Sequence, residues 1–200
     1  MFHDFRVQLV VVGDHAVGKT CLLLAYLSKA FPTDYVPTLM DDLSLVNVKL
    51  DDEDVTLDLW DTAGADKYDR VRPLSYPGAS VVLFCFSVAS HVSMENAKAK
   101  WWREISHHCP EAAVLLVGTK IDLRDDREMI DKLREKGLKP VTRDEGEALA
   151  REFQGHAGMY VECSSRSLDC VDQVFDQALR SAVAVQKRMA LGLKRTCALL

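Results

Sequence analysis

One eight-residue segment, at 13–20, constrains the fold of this chain more than any other feature. It reads GDHAVGKT and matches the pattern GxxxxGK[ST]. The apolar run at 7–12 predicts a strand before it, and periodic apolar residues at 19–30 predict a helix after it. A phosphate-binding loop needs this context, because the amides of the loop and of the helix N-terminus face the phosphate. The alternative is a tight glycine turn that binds no ligand.

Side chains of this loop and of a second segment supply what a magnesium–phosphate ligand needs. Lys19 adds a point charge beside the phosphates, and the Thr20 hydroxyl can ligate Mg²⁺. Asp61 follows a strand predicted at 55–60 and can hold the metal through water, since parallel strands end at one edge of a sheet. Gly64 offers an amide to a γ-phosphate. Together they predict a nucleoside triphosphate with Mg²⁺, although Asp61 alone would also fit a helix N-cap.

Apolar runs alternate with longer amphipathic segments along the rest of the chain. Nearly continuous apolar runs suit a parallel sheet covered on both faces, which predicts a doubly wound α/β fold. Strands are predicted at 7–12, 55–60, 80–86, 113–118 and 159–162, and helices at 19–30, 91–106, 143–153 and 168–186. The acidic run at 51–54 predicts a hairpin turn. The charged segment at 125–139 predicts a helical surface insertion, or a solvated helix without a partner.

Composition excludes several classes of protein. The formal net charge of −5 disfavours the broad basic surface of a nucleic-acid-binding protein. The cysteines form no CxxC pair and are expected to be reduced thiols in the cytosol; they are Cys21, Cys85, Cys109, Cys163, Cys170 and Cys197. We expect no secretion signal at the N-terminus, and no apolar run approaches the roughly 18 residues that span a bilayer.

The segment Thr119-Lys120-Ile121-Asp122 predicts recognition of a guanine base. It follows a predicted strand at the same sheet edge as the phosphate-binding loop. A carboxylate can accept from both N1–H and the exocyclic amine of guanine, a match that adenine does not offer, while the Lys120 stem lies along the ring. Ser164 and Ser165 close the last strand and can place amides near guanine O6. Capping of the following helix is the alternative for these serines.

Longer fragments carry a family resemblance. They are GDxAVGKTCLL at 13–23, FPxDYVPT at 31–38, LWDTAG at 59–64, YDRVRPLSYP at 68–77, HHCP at 107–110 and VGTKIDLRDD at 117–126. On these fragments the chain resembles the small GTPases of the Rho family, and most closely the Rac-like branch, along essentially its whole length. The resemblance implies one P-loop domain at 1–186, with a mostly parallel six-stranded sheet, helices on both faces and a Rho-type insertion at about 125–139. A flexible basic tail is implied at 187–200.

The resemblance also implies the residues that bind GTP or GDP. They are Gly13, Ala16, Val17, Gly18, Lys19, Thr20, Cys21, Phe31, Tyr35, Thr38, Gly64, Thr119, Lys120, Asp122, Ser164 and Ser165. Mg²⁺ would be held by Thr20 and Thr38, and by Asp61 through water. Two switches, at 31–44 and 64–76, would be ordered by the γ-phosphate and read by effector proteins in cytoskeletal and membrane signalling. Exchange factors and a prenyl-binding chaperone are further partners implied.

Two positions depart from hydrolysing relatives. His15 replaces a glycine and crowds the space shared by the γ-phosphate, the attacking water and an arginine finger. Ala65 replaces the glutamine that orients the water. Both predict slow hydrolysis and a protein that is mostly loaded with GTP. The alternative is a normally cycling GTPase, if His15 is only a solvated loop residue or another group positions the water. Met40 and Leu43 replace aromatic residues of the first switch, which leaves effector choice open.

The sequence ends in Cys197-Ala198-Leu199-Leu200, a prenylation pattern whose final leucine favours a geranylgeranyl group. One lipid anchors weakly, and the basic residues at 187, 188, 194 and 195 add a second signal. We therefore expect reversible attachment to the cytoplasmic face of membranes, unless the tail is unmodified. A third class of protein, a P-loop kinase for a small acceptor, is disfavoured by the TKID segment and by this ending.

Overall fold

A six-stranded sheet forms the centre of the fold in the computed structural model, which describes residues 5–32, 42–51, 53–153 and 159–190. The strands are β1 (Phe5–Val12), β2 (Asp42–Leu50), β3 (Glu53–Asp61), β4 (Val81–Ser87), β5 (Ala113–Thr119) and β6 (Met159–Glu162). Their order across the sheet is β2-β3-β1-β4-β5-β6. Every neighbouring pair is parallel except β2 and β3, which form an antiparallel hairpin. The predicted α/β fold with a mostly parallel sheet is confirmed.

Helices cover both faces of this sheet. They are α1 (Lys19–Ser28), α2 (His91–Asn96), α3 (Arg103–His108), α4 (Arg127–Glu135), α5 (Arg143–Glu152) and α6 (Val171–Ala190), and a π-helical segment, Ala97–Trp102, joins α2 to α3. Short 3₁₀ turns occupy Asp66–Tyr68, Arg72–Ser75 and Ile121–Arg124. In the part of the chain that the structure describes, no helix has both the length and the apolar character needed to cross a bilayer.

Alternation along the strands divides the core into two layers. Leu9 of β1 points to the layer that α1 and α6 cover, where Phe175 is fully buried. Val10, the next residue, points to the opposite layer with Trp101 and Ile105. The period of two in a strand makes this division, and burial on both faces explains the continuous apolar runs of β4 and β5.

Several predicted helix boundaries were wrong, and backbone dihedral angles explain most of them. The helix predicted at 19–30 ends at Ser28, because Lys29 has φ 54° and leaves the helical region. The helix predicted at 168–186 begins only at Val171, since Leu168 and Cys170 have φ of 63° and 56°. It continues to Ala190.

Three other predicted segments have more detailed structures than the sequence pattern indicated. The helix predicted at 91–106 continues to His108 and contains the π-helical segment. The hairpin turn predicted at 51–54 is present at Asp51, and β3 already begins at Glu53. Within the predicted insertion, α4 begins after Asp126, whose carboxylate accepts from the Met129 amide at 2.8 Å as an N-cap.

Candidate functional site

A pocket of about 520 Å³ lies at the sheet edge where the strands of the parallel part end. It is lined by His15, Ala16, Gly18, Lys19, Thr20, Cys21, Phe31, Pro32, Thr62, Gly64, Thr119, Lys120, Asp122, Leu123, Ser165 and Arg166. Ligands of doubly wound folds bind at this edge, outside the carboxyl ends of the strands. The pocket therefore brings together most of the residues that the sequence predicted for a nucleotide.

Glycine geometry fixes the path of the phosphate-binding loop. Gly13 has φ 144°, and a Cβ at this position would lie 2.1 Å from the Cys85 carbonyl oxygen of β4. Gly18 has φ 105° at the start of α1, in the region that side chains disfavour. These constraints turn the chain from β1 into α1, so that the N-terminus of α1 faces the pocket.

Lys19 is held inside this loop. Its ammonium donates to the carbonyl oxygens of Gly13 at 2.9 Å and Asp14 at 3.0 Å. Burial lowers the pKa of this ammonium below its ordinary value. A phosphate group would supply the negative charge that best compensates a buried ammonium, so the arrangement suits an anionic ligand.

A hydroxyl and a carboxylate meet at the phosphate end of the pocket. Thr20 Oγ1 donates to Asp61 Oδ2 at 2.6 Å, and the Asp61 side chain is buried. These hard oxygen donors fit Mg²⁺, which usually takes one or two protein ligands and completes its shell with phosphates and water. No group of three or more His, Cys, Asp or Glu side chains that could hold a metal occurs among the described residues. Thr38, the third ligand implied, lies outside them.

The base end of the pocket is tied to the phosphate-binding loop by two side chains. Lys120 has φ 61°, and its ammonium donates to the Ala16 carbonyl at 2.6 Å. Thr119 Oγ1 lies 2.5 Å from the Val17 carbonyl oxygen and 2.9 Å from that of Phe86. These hydrogen bonds fix the Lys120 stem across the pocket, along the side that a purine ring would occupy.

Asp122, the predicted base-reading carboxylate, is oriented by its neighbours. Ser164 Oγ, which is fully buried, donates to Asp122 Oδ1 at 2.5 Å. Arg124, in the same 3₁₀ turn, donates to both carboxylate oxygens of Glu162 at 2.7 and 2.5 Å. Burial of Glu162 opposes its ionisation, but the hydrogen bonds from Arg124 and Tyr160 outweigh burial and lower the Glu162 pKa. An ion pair thus joins the base-reading turn to β6.

The start of the second switch packs directly on the phosphate-binding loop. A Cβ at Gly64 would lie 2.4 Å from the Gly13 carbonyl oxygen and 2.6 Å from the Lys19 ammonium. The Ala65 carbonyl accepts from Arg72 Nη2 at 3.3 Å, and the Ala65 side chain is a methyl group without a donor or acceptor. His15 is exposed and lines the pocket mouth without a hydrogen bond to any described residue. Among the described residues, Gly64 thus packs closely on the phosphate-binding loop, and the Ala65 side chain that follows it has no group that could orient water.

Some predicted nucleotide-binding residues are not part of the pocket lining. Gly13, Val17 and Ser164 are buried behind the lining and support it through the contacts given above. Tyr35, Thr38 and Cys197 lie outside the described residues.

Four lining residues were missed: Pro32, Thr62, Leu123 and Arg166. Each lies next to a predicted residue or, for Thr62, inside the DTAG segment, so adjacency to the motifs was the only signal that could have found them.

Comparison with protein families agrees with this geometry. A family model described as the Ras family matches residues 8–184. The match runs from the first strand into α6 and includes every element that lines the pocket.

Proposed function

This chain belongs to the Ras family of small GTPases, and we propose that it is a Rho-type switch that stays mostly loaded with GTP. Family membership makes it a GTP-binding switch protein with a GTPase domain. A Rho-type assignment rests on the sequence fragments given above and is supported by α4, which lies within the predicted insertion.

The absence of a water-orienting group at Ala65 carries the proposal of slow hydrolysis. In phosphoryl transfer to water the protein contributes mainly by positioning and charge stabilisation, and an arginine finger adds about 10³ to 10⁵ in rate. The methyl group of Ala65 cannot form a hydrogen bond and therefore cannot position the attacking water. His15, at the mouth of the same pocket, adds an imidazole where the finger and the water would enter. The residues at positions 15 and 65 should therefore slow hydrolysis without altering the groups that bind the nucleotide.

Mg²⁺ is the metal that we propose for this site. Thr20 and Asp61 would hold it, with Asp61 acting through water and Thr38 as a further ligand. When bound, the ion would neutralise phosphate charge. Lys19 supports the β- and γ-phosphates through its ammonium, and Asp122 selects guanine through its carboxylate.

Membrane attachment is a separate part of the proposal. The Cys197 thiol would carry a geranylgeranyl group, and the protein would associate reversibly with the cytoplasmic face of membranes. Replacing Cys197 with Ser should move the protein from the membrane fraction of cells to the soluble fraction, with nucleotide binding unchanged. An unchanged distribution of the C197S protein would contradict the lipid anchor.

A normally cycling GTPase is the second candidate, and one observation favours it. The His15 side chain is exposed and has no hydrogen bond to the described residues, so it can turn away from the pocket. An activating protein could then bring its own groups to the water. In that case effectors would read a cycle of GTP and GDP states instead of a persistent GTP state.

Single-turnover hydrolysis of Mg²⁺-GTP distinguishes these candidates. The natural chain and the double variant His15→Gly/Ala65→Gln are each measured with and without a Rho-family activating protein. We expect negligible turnover by the natural chain and stimulated turnover by the variant. The control is Ala148→Gln, the same side-chain change on the exposed face of α5. Normal stimulated turnover by the natural chain would establish the cycling GTPase and exclude the persistent GTP state.

A further inference from the structure

Arg72 is a fully buried cation in the second switch, and it holds the backbone on both sides of Gly64. Its Nε donates to the Ala63 carbonyl at 2.9 Å, and its Nη2 donates to the Ala65 carbonyl at 3.3 Å. These carbonyls belong to the residues immediately before and after Gly64. The guanidinium therefore restricts where the Gly64 amide can lie.

The position of Arg72 is in turn fixed by charged and aromatic neighbours. Nη1 lies 3.0 Å from both carboxylate oxygens of Glu104, and Nη2 lies 2.7 Å from Asp69 Oδ1. The guanidinium carbon lies 4.5 Å from the centre of the Trp101 ring. Paired charges and a cation–π contact are strong when they are desolvated, so we expect the guanidinium and the Trp101 ring to move together.

Trp101 also reaches the phosphate-binding loop. Its indole N–H donates to Asp14 Oδ1 at 2.8 Å, and Asn96 Nδ2 donates to the other oxygen, Asp14 Oδ2, at 2.7 Å. Asn96 and Trp101 are five residues apart, and the π-helical segment Ala97–Trp102 makes this possible. In a π-helix the backbone hydrogen bonds join residues i and i+5, and the wider turn brings these two positions towards one face. In an α-helix, with 3.6 residues per turn, the same two positions point in different directions.

Gly64 and Asp14 are also in direct backbone proximity. A Cβ at Gly64 would lie 2.7 Å from the Asp14 carbonyl carbon, so the two chain segments touch. The loop and the second switch are thus joined twice, once by this contact and once through Trp101 and Arg72.

We propose that Asp14, Trp101 and Arg72 form a latch that positions the Gly64 amide for the γ-phosphate, and so sets the preference for GTP over GDP. This inference rests on the proposed guanine-nucleotide switch. GDP has no γ-phosphate, so the position of Gly64 contributes little to its binding. Weakening the latch should therefore speed the release of a GTP analogue more than the release of GDP. These three side chains are positioning residues, and they act through Gly64.

Replacing Trp101 with Phe tests the latch. Phe retains a ring under Arg72 but removes the N–H that reaches Asp14. The dissociation rates of fluorescent GTPγS and GDP are measured for each protein in excess Mg²⁺. We expect W101F to raise the ratio of the GTPγS rate to the GDP rate by roughly 2- to 30-fold, the usual range for coupling between sites. Trp102→Phe is the matched control, because Trp102 is the adjacent indole and packs on Phe84 and Phe153.

A second variant keeps the test decisive if W101F folds poorly. Asp14→Asn preserves the shape of the side chain but turns an amide towards one of the two donors. We expect it to raise the same ratio, and the effects of W101F and D14N combined should be less than additive, because both weaken the hydrogen bonds to one carboxylate, that of Asp14. Equal acceleration of GTPγS and GDP release in W101F and D14N would overturn the latch. A natural chain that binds no guanine nucleotide would instead overturn the proposed function, and the latch with it.

Discussion

The two ends of the pocket differ in how they are built. At the base end, Asp122 is oriented by a buried serine, and the turn that carries it is joined to β6 by the ion pair between Arg124 and Glu162. At the phosphate end, the exposed His15 lines the pocket and Ala65 directly follows the lining residue Gly64, and neither side chain makes a hydrogen bond among the described residues. The carboxylate proposed to read guanine is thus held by a largely buried network, whereas the two side chains proposed to slow hydrolysis have no such support.

Under the proposed function, this difference predicts that nucleotide binding and nucleotide turnover can be changed separately. Changes at the base end should weaken GTP and GDP binding together, because both share the base. Changes near Gly64 should lower the affinity for GTP more than the affinity for GDP, because only GTP has a γ-phosphate that could contact this residue. Four variants or conditions test this separation.

The largest effect is expected for Asp122→Asn. An amide turns a donor towards the exocyclic amine of guanine, and a site built for hydrogen bonding rejects a mismatched ligand by on the order of 10⁴-fold. Affinities for GTP and GDP should fall equally, and XTP, whose base has a carbonyl at that position, should bind better than GTP. Calorimetric titration with the three nucleotides checks this. A loss of affinity for GTP alone would contradict the assignment of Asp122 to the base end of the pocket.

Gly64→Ala should act on the opposite end. The added methyl would lie 2.4 Å from a backbone oxygen, so the second switch must move away from the loop. Overpacking of this kind costs about 1–3 kcal/mol, which would lower the affinity for a GTP analogue by roughly 5- to 150-fold. GDP binding should change little. Gly137→Ala is the control for general destabilisation: a Cβ there would meet no atom within 4 Å, but the φ of 69° strains an alanine, so stability should fall while nucleotide affinity does not. Equal losses of GTP and GDP affinity in Gly64→Ala would refute the separation.

Acid pH should lower the stability of the folded protein by protonating Glu162, which supports the base end of the pocket. Its pKa is lowered in the folded state, so its stabilising contribution is complete above the ordinary value of 4.5 and is lost as pH falls through the lowered folded value. We expect Glu162→Gln to flatten the acid limb of the unfolding free energy by at most about 1.4 kcal/mol per pH unit. Urea titrations from pH 7 down to acid measure this. Glu147→Gln, on α5, is the control, and identical limbs in natural and E162Q proteins would contradict the prediction.

Ser164→Ala should have the smallest effect. It removes one hydrogen bond to the base-reading carboxylate, which is worth about 0.5–1.5 kcal/mol, or roughly 2- to 10-fold in affinity. GTP and GDP should be affected alike, because the γ-phosphate lies at the other end. Release rates of both fluorescent nucleotides test this. A change for one nucleotide alone would show that Ser164 couples the base end of the pocket to the phosphate end.

Local patterns were sufficient to predict the fold class and most of the pocket. Nearly continuous apolar runs and the loop motif identified five of the six strands and the edge where they end. The π-helical segment was not predictable, because its sequence, AKAKWW, contains no glycine or proline and suits an ordinary helix. Likewise, nothing in the residue types at 168 and 170 indicated positive φ.

Contacts between distant residues account for the rest. Asp14 and Trp101 are 87 positions apart, and Arg124 and Glu162 are 38 apart. Neither pairing leaves a trace in local periodicity, because each depends on how helices cross the sheet edge. The sequence therefore predicted most of the residues that line the pocket but not the buried residues that hold them in place.

The exposure of His15 also bears on how such a protein can arise. A substitution at a solvent-facing loop position removes no core contact, and such changes usually alter stability by no more than about 0.5 kcal/mol. A lineage could therefore lose turnover in one or two mutational steps while keeping a stable, nucleotide-binding protein. Gly13 has no such freedom, because any side chain there would collide with the Cys85 carbonyl. Under the proposed function, the fold therefore constrains Gly13 of the phosphate-binding loop more tightly than the loop position proposed to slow hydrolysis.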